Sequence, residues 1–325
     1  MKAWLLSASP ERVVLERAEV PIPEPQAGQL LVKVHAAGLN RGEFLGAHGL
    51  HAGAAKPKPG GNEAAGEVAK LGPEVTGYAI GERVMGRCAG AFAEYALLDV
   101  REALRIPAGL SYEEGAAIPL VFAVTYDMLV AHGRVREGDW VLVTAASSAV
   151  GVACVQSAKA LGAKVIGTSG SAAKLERLRA IGMDVGIQTR AADFVEAVMR
   201  ATGDHGADIV INNTGGTVFE ACMRAAAFQG RLATVGYVDG NMSSTIDLER
   251  LHSRRLELFG VSNKLRNAAQ RGETVRAFER DLLPYLERGA IRPVIDRVFA
   301  FDQTAAAQAY MESNAQVGKI VVRVL

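Results

Sequence analysis

The sequence predicts an α/β fold, a doubly wound parallel sheet joined to a β-rich domain that both chain ends build. Three observations predict it. From about residue 118 to 262, apolar runs of strand length alternate with segments of helical period, the pattern of parallel strands linked by crossover helices and covered on both faces. Within that stretch the run "WVLV" at 140–143 passes through the small-residue turn "TAASSAVG" into a helix-period segment. Residues 1 to about 117 alternate short β-type runs with glycine, proline and polar turns, and that composition returns after about residue 263.

In the first domain, 1–117, the strand candidates are "QLLVKVHAAGLN", "AAGEVAKLG", "GERVMGR" and "FAEYALLD". In the second, 118–262, "WVLVTA", "KVIGTS", "ADIVIN", "GRLATVGY" and "RRLELFGVS" read as strands. Between them "VGVACVQSAKALG", "AAKLERLRAIG" and "VFEACMRAAAF" have helical period. Strand and helix in alternation imply right-handed crossovers. The tail, 263–325, carries a polar helical segment "ETVRAFERDLLPYLERG", the run "RPVIDRVFAFD", a short helix in "QTAAAQAYMESN" and a last strand "GKIVVRVL". It is expected to complete the first domain.

Composition narrows the partners. With 36 Lys+Arg against 35 Asp+Glu and no long run of one sign, the chain lacks the basic footprint of a nucleic-acid or anionic-membrane binder. The three cysteines, Cys88, Cys154 and Cys222, are far apart and form no C-x-x-C pair, which speaks against a disulfide framework or a cysteine-rich zinc lobe. The first residues do not read as a secretory signal, and no apolar stretch reaches the roughly 18 residues of a membrane span. The expectation is a cytoplasmic protein acting on a small molecule.

In an open parallel sheet, ligands sit at the carboxyl ends of the strands, and a pyrophosphate is held by the N–H groups at the first helix. Aligned on G-x-G-x-x-G, the turn places Ala146 first, Ser148 second and Gly151 third. Gly151 keeps the role of close helix-to-strand packing. Ser148 is the departure, since the second glycine normally lets backbone approach pyrophosphate, although its hydroxyl can donate to a phosphate oxygen. The second strand then ends "GTSGS", where an NAD-selective site carries Asp or Glu to hold the ribose hydroxyls. Ser169, Gly170 and Ser171 stand there, with no carboxylate to repel a 2′-phosphate. Lys174 and Arg190 are candidates to pair with one, and Lys174 alternatively is an exposed helix charge. The cofactor expected is NADPH.

Over essentially its whole length the chain resembles the zinc-independent quinone oxidoreductases of the medium-chain dehydrogenase/reductase superfamily. The likeness rests on "AAGLNRGEF", "PGGNEAAGEVAKLGPEVTGYAIGERVMG", "AAIPLVFAVTYDML", the cofactor turn, "GRLATVGY" and "GKIVVRV". It implies a GroES-like catalytic domain, a Rossmann domain, and a homodimer paired through "RRLELFGVS". Zinc-dependent relatives have a cysteine in the place of Asn40, a histidine in that of Asn62 and another cysteine near "IPLVFAV". Catalytic zinc needs three thiolate, imidazole or carboxylate ligands, so no metal is expected.

Without metal, the pocket can set a nicotinamide hydride against an electron-poor carbon of a quinone or of an alkene conjugated to a carbonyl. Either acceptor develops negative charge on oxygen, which a donor must stabilise. From the resemblance, Asn40 faces nicotinamide and substrate; its other reading is a turn cap. The family's loop tyrosine is replaced by His51, a candidate proton donor or else an exposed loop histidine. The resemblance further assigns Ala149 and Val150 to the pyrophosphate beside Ser148, Thr125 to the nicotinamide amide, Asn213 and Gly215 to the loop after the fourth strand, and Val235, Gly236 and Tyr237 to that after the fifth. Val261, Ser262 and Asn263 lie beside the ring, and Tyr237 alternatively is an aromatic at the core rim. The function expected is NADPH-dependent reduction of a quinone or enone. Enoyl-thioester reduction and nicotinamide binding without turnover are the alternatives.

Overall fold

Residues 1–8, 13–44 and 57–325 are described by the structure, a computed structural model. Along the chain the strands are β1 (Lys2–Ala8), β2 (Val13–Glu19), β3 (Gln29–Gly38), β4 (Lys58–Pro59), β5 (Glu63–Leu71), β6 (Arg83–Ala89) and β7 (Tyr95–Arg105). There follow β8 (Trp140–Val143), β9 (Lys164–Ser169), β10 (Val185–Gln188), β11 (Ala207–Asn212), β12 (Ala226–Thr234), β13 (Glu257–Gly260), β14 (Ile295–Ala300) and β15 (Lys319–Arg323). The α-helices are α1 (Tyr112–Ala116), α2 (Pro119–Tyr126), α3 (Ala149–Ala160), α4 (Ala172–Arg179), α5 (Val195–Thr202), α6 (Phe219–Ala225), α7 (Leu248–Ser253), α8 (Ala268–Asp281), α9 (Leu283–Glu287) and α10 (Thr304–Glu312). None of these helices is long and apolar enough to cross a membrane.

The chain divides into two units. The first comprises Met1–Leu120, Lys264–Glu287 and Pro293–Leu325. Its six-stranded sheet runs β14-β15-β3-β5-β6-β7, and β7 also pairs with β3, so β3, β5, β6 and β7 close on themselves. The C-terminal β15 lies antiparallel to β3, with Val321 opposite Gly38. A small sheet, β2-β1-β4, accompanies it. Val32, Val34, Val68, Val84, Phe92 and Leu98 are among the residues that fill the core inside the closed strands. At Gly66, opposite Val34 across the β3–β5 pairing, a Cβ would lie 2.0 Å from the Lys33 carbonyl oxygen. Only glycine permits that approach.

The second unit comprises Val121–Asn263 with Arg288–Arg292. Its sheet is ordered β10-β9-β8-β11-β12-β13, and every neighbouring pair is parallel. In sequence rank this is 3-2-1-4-5-6, the doubly wound order whose direction of winding reverses between β8 and β11. Val141, Leu142, Val143, Ile209, Val210 and Ile211 are fully buried, as strands covered on both faces require.

Local readings differ from the structure at several places; β10 and α7 lie outside the segments read from the sequence. The helical period of "VFEACMRAAAF" does not carry through to its end: α6 stops at Ala225 and Ala226 already pairs with Ala207 as strand. Gln229, with φ +59°, turns the chain before β12 resumes beside β11. The sequence reading also passed over α5, a two-turn helix ended by Gly203 in the left-handed conformation; its short length leaves little periodicity to detect.

Substituting Gly66→Ala is expected to cost more than about 3 kcal/mol, because the obstacle is backbone that cannot yield. Gly109→Ala, with nothing within 4 Å of the new Cβ, is expected to stay within about 0.5 kcal/mol of the parent. Urea denaturation of both variants checks the contrast.

Candidate functional site

The turn after β8 is clamped from two sides. The Ala146 N–H donates to the Thr168 carbonyl at the end of β9 (2.9 Å), and the Ala145 N–H to the Thr168 hydroxyl (3.3 Å). Ala145 takes the left-handed conformation, φ +46°, so the residue that bends the chain here is the one before Ala146. Ser148 is the N-cap of α3: its Oγ accepts the Gly151 N–H at 3.0 Å, which still leaves the hydroxyl proton to donate. A Cβ on Gly151 would lie 2.6 Å from the Ala146 carbonyl oxygen, so glycine is what allows α3 to seat against the turn. The Ala149 and Val150 N–H groups lie in the first turn of α3, where no intrahelical acceptor exists and the helix presents its positive end. The turn therefore fits a dinucleotide pyrophosphate.

At the end of β9, Ser169 is buried, and its hydroxyl accepts the Ser171 N–H. Ser171 is the N-cap of α4, accepting the Lys174 N–H. The exposed Arg190 side chain packs across Gly170, where an added Cβ would lie 2.1 Å from its Nε. The structure thus brings Ser169, Gly170, Ser171, Lys174 and Arg190 to one strand end.

The remaining strand ends of this unit are tied together. Asn213 is buried, its Nδ2 donating to the Thr144 carbonyl at 3.1 Å. The Asn212 carboxamide accepts the Thr214 and Gly215 N–H groups, both at 3.0 Å. Gly236 lies close to the Asn213 carbonyl, and the Val235 N–H donates to the Asn212 carbonyl (3.2 Å). Tyr237 is half-buried. Val261 follows β13 and donates its N–H to the Thr234 carbonyl at 3.0 Å, with Ser262 exposed and Asn263 half-buried beyond it. Thr125 is fully buried, with its hydroxyl turned 3.6 Å from the Cys154 sulfur on α3.

In the first unit the structure assembles a polar cluster that the sequence reading did not. Glu43, Glu63 and Lys319 are all at most 3% exposed. The Lys319 ammonium lies 2.5 Å from Glu63 Oε1 and donates to Asn40 Oδ1 at 2.7 Å. Asn40 Nδ2 donates to Glu43 Oε1 (3.0 Å) and to Glu63 Oε1 (2.9 Å), and Glu63 Oε2 accepts the Leu120 N–H at 2.9 Å. Glu43 Oε1 also receives both the backbone N–H and the Nδ2 of Asn62, each at 3.1 Å. The expectation that Asn40 donates to a substrate is corrected here, since both its amide hydrogens are spent on carboxylates. Asn40 also heads a 3-10 turn, Arg41–Phe44, accepting the Glu43 N–H at 3.0 Å. His51 falls outside the described residues.

These residues do not fit a zinc ion. Asn40 and Asn62 offer amides, and the Lys319 ammonium already sits against the Glu63 carboxylate, where a dication would have to compete. The thiol of nearby Cys88 is pushed up to about 12 by burial and then by the neighbouring Glu63 charge, far from the thiolate a metal binds. The signal for this cluster was present in the sequence as isolated charges in apolar runs, Lys319 in "GKIVVRV" and Glu63 in "NEAAGEV".

Comparison with known proteins finds the zinc-binding dehydrogenase family over residues 149–274 and the alcohol dehydrogenase GroES-like domain over residues 26–108. Among curated proteins, the spectinabilin polyketide synthase system protein NorB of Streptomyces orinoci is 33% identical over 98% of this chain and 14% of its own length. The highly reducing polyketide synthase apmlA of Arthrinium phaeospermum is 32% identical over 94% of this chain and 13% of its own. The chain therefore spans about one seventh of these relatives. Solved structures match along their whole length. Mycobacterial Rv1454c complexed with NADPH superposes with a TM-score of 0.88 at 26% identity, covering 100% of both chains. An NAD-dependent alcohol dehydrogenase gives 0.85 at 32%, again over 100% of both. The quinone oxidoreductase of Pseudomonas syringae pv. Tomato DC3000 gives 0.84 at 25%, with the same coverage.

Burial raises the Glu43 carboxyl from its ordinary 4.5 to about 7, against the pull of the Asn40 hydrogen bond and the Lys319 charge. Across that interval the folded chain keeps a proton that the unfolded chain has released. The contribution to stability is full below about 4.5 and is lost as pH rises through about 7, a span of about 3 kcal/mol. In Glu43→Gln this dependence disappears. Urea denaturation of parent and variant from pH 5 to 8 is expected to show the parent losing ground with rising pH; parallel curves would refute the assignment.

Proposed function

The chain belongs to the medium-chain dehydrogenase/reductase superfamily, alongside its quinone oxidoreductases, and from that premise we propose that it is a zinc-independent oxidoreductase that transfers hydride from NADPH to a quinone or an α,β-unsaturated carbonyl compound. The observation that carries the cofactor half is the cradle after β8, with Gly151 against Ala146 and Ser148 capping α3. The preference for NADPH is supported by the end of β9, where Ser169, Gly170 and Ser171 carry no acid and Arg190 lies across Gly170. An Asp or Glu there would favour NADH.

When bound, the reduced nicotinamide supplies a hydride, so that acceptor and one proton are converted to the reduced product as NADPH becomes NADP+. The chain's own part is to bind the pyrophosphate on the α3 N-terminus, to take the 2′-phosphate at Arg190 with Lys174 nearby, and to meet the negative charge that grows on the acceptor oxygen. Zinc independence is supported by amides at Asn40 and Asn62, where the resemblance implies ligands in zinc-dependent relatives, and by the Lys319 ammonium beside Glu63. Enoyl-thioester reduction is the second reading, favoured by the polyketide synthases among the curated relatives. A homodimer formed through β13, the edge strand of its sheet, belongs to the same proposal.

Fluorescence titration with NADPH and NADH, followed by 1,4-benzoquinone, 2-cyclohexenone and crotonyl-CoA in turn, tests the reading. NADPH is expected to bind more tightly and to be oxidised by at least one acceptor. Arg190→Ala is expected to weaken NADPH about tenfold, the value of one charge-assisted contact, and to leave NADH within about twofold. No binding of either nucleotide would mean that the turn after β8 is only structural.

A further inference from the structure

We infer that Asp239 is a positioning residue for the nicotinamide half of the cofactor, latching the loop after β12 onto the loop after β11, an inference that rests on the dinucleotide reading above. A doubly wound sheet takes a dinucleotide as two mononucleotide halves, one over each set of three strands. β8 and β9 lead into the turn at Ser148 and the strand end beside Arg190. The other half falls to the loops that leave β11, β12 and β13, which belong to the same sheet and the same unit.

Two of those loops are joined. The Asp239 N–H donates to the Thr214 carbonyl at 3.0 Å. Its carboxylate Oδ2 accepts both the N–H (2.9 Å) and the hydroxyl (2.5 Å) of Thr217, and Oδ1 accepts the Asn241 N–H at 2.9 Å. The Gly216 N–H donates to the Asn241 carbonyl at 2.8 Å. The loops lie too close for side chains at the junction: a Cβ on Gly215 would be 2.0 Å from Asp239 Oδ1, and one on Gly216 would be 2.2 Å from the Ser243 carbonyl oxygen. From the other side the buried Asn212 carboxamide accepts the Thr214 and Gly215 N–H groups and donates to the Gly215 carbonyl at 2.9 Å. Asp239 and Thr217 are exposed, so the latch adds little to the core. What it fixes is loop backbone, and a loop already held in one conformation spares the ordering cost that binding would otherwise meet.

Asp239→Ala removes the three hydrogen bonds that the carboxylate accepts. By isothermal titration, NADPH and NADH are each expected to bind about tenfold more weakly, the cost of ordering roughly one loop residue on binding. The probe 2′,5′-ADP, which lacks the nicotinamide half, is expected to stay within about twofold. Arg190→Ala should give the converse pattern, weakening NADPH and 2′,5′-ADP and sparing NADH, whereas a general loss of structure would weaken all three ligands together. Should Asp239→Ala fail to fold, hydrogen exchange in the free parent decides the matter. The Gly216 and Thr217 amides are expected to exchange at least about 100-fold more slowly than in an unstructured chain, and exchange at the unstructured rate means that the latch is open in solution. That result, unchanged NADPH and NADH affinity in Asp239→Ala, or an equal loss of 2′,5′-ADP, overturns the inference and leaves the cofactor reading intact. A parent that binds none of the three ligands overturns both.

Discussion

The ion pair between Glu63 and Lys319 holds together parts of the chain that are 256 residues apart. Glu63 begins β5 and Lys319 begins β15, so the pair ties the N-terminal strands to the last strand of the molecule. Removing two charges from water costs several kcal/mol each, and the attraction between them offsets that only when their remaining hydrogen-bonding capacity is also satisfied. Here Lys319 reaches Asn40 as well as Glu63, and Glu63 accepts from Asn40 and from the Leu120 backbone. Each member thus depends on the others, and a partner lost from the cluster strands a buried charge.

The turn after β8 shows how a glycine-poor sequence reaches the geometry of a glycine-rich one. Two functions usually given to glycine are separated. Close packing remains with Gly151, where backbone leaves no room for a Cβ. The left-handed bend falls on Ala145, at a cost of roughly 1 kcal/mol, and is held by two hydrogen bonds to Thr168. Serine then replaces glycine at position 148 as a helix cap, so the residue that departs from the pattern is the one that stabilises the start of the helix.

The doubly wound sheet was legible because five of its six strands contain apolar runs bounded by turn residues, a signal that needs no partner to be read; the edge strand β10, VGIQ with no buried residue, gives no such signal. The cofactor turn was legible for the same reason: strand, turn and helix are contiguous. The polar cluster was not. Asn40, Glu43, Asn62, Glu63 and Lys319 come from three separate places in the chain, and nothing local says that Lys319 would lie on Asn40. Resemblance drew notice to Asn40 but not to how its hydrogen bonds are spent. That is decided by which carboxylates lie within 3.0 Å of Nδ2, a property of the folded barrel alone. Helix α6 was overrun for a related reason: the alanines at its end are compatible with either state, and β11 decides between them.

Stability alone does not account for burying this cluster. A well-packed apolar replacement for a buried ion pair is often neutral or more stable, and the walls of the same barrel show that valine, leucine and phenylalanine fill it readily. What apolar side chains cannot do is fix the direction of an amide. Two carboxylates and an ammonium, each limited to the partners within reach, leave Asn40 one orientation. Through Glu43 they hold Asn62 as well, by its backbone and by one of its two amide hydrogens. The cluster converts charge, which is costly to bury, into the fixed orientation of the Asn40 and Asn62 amides.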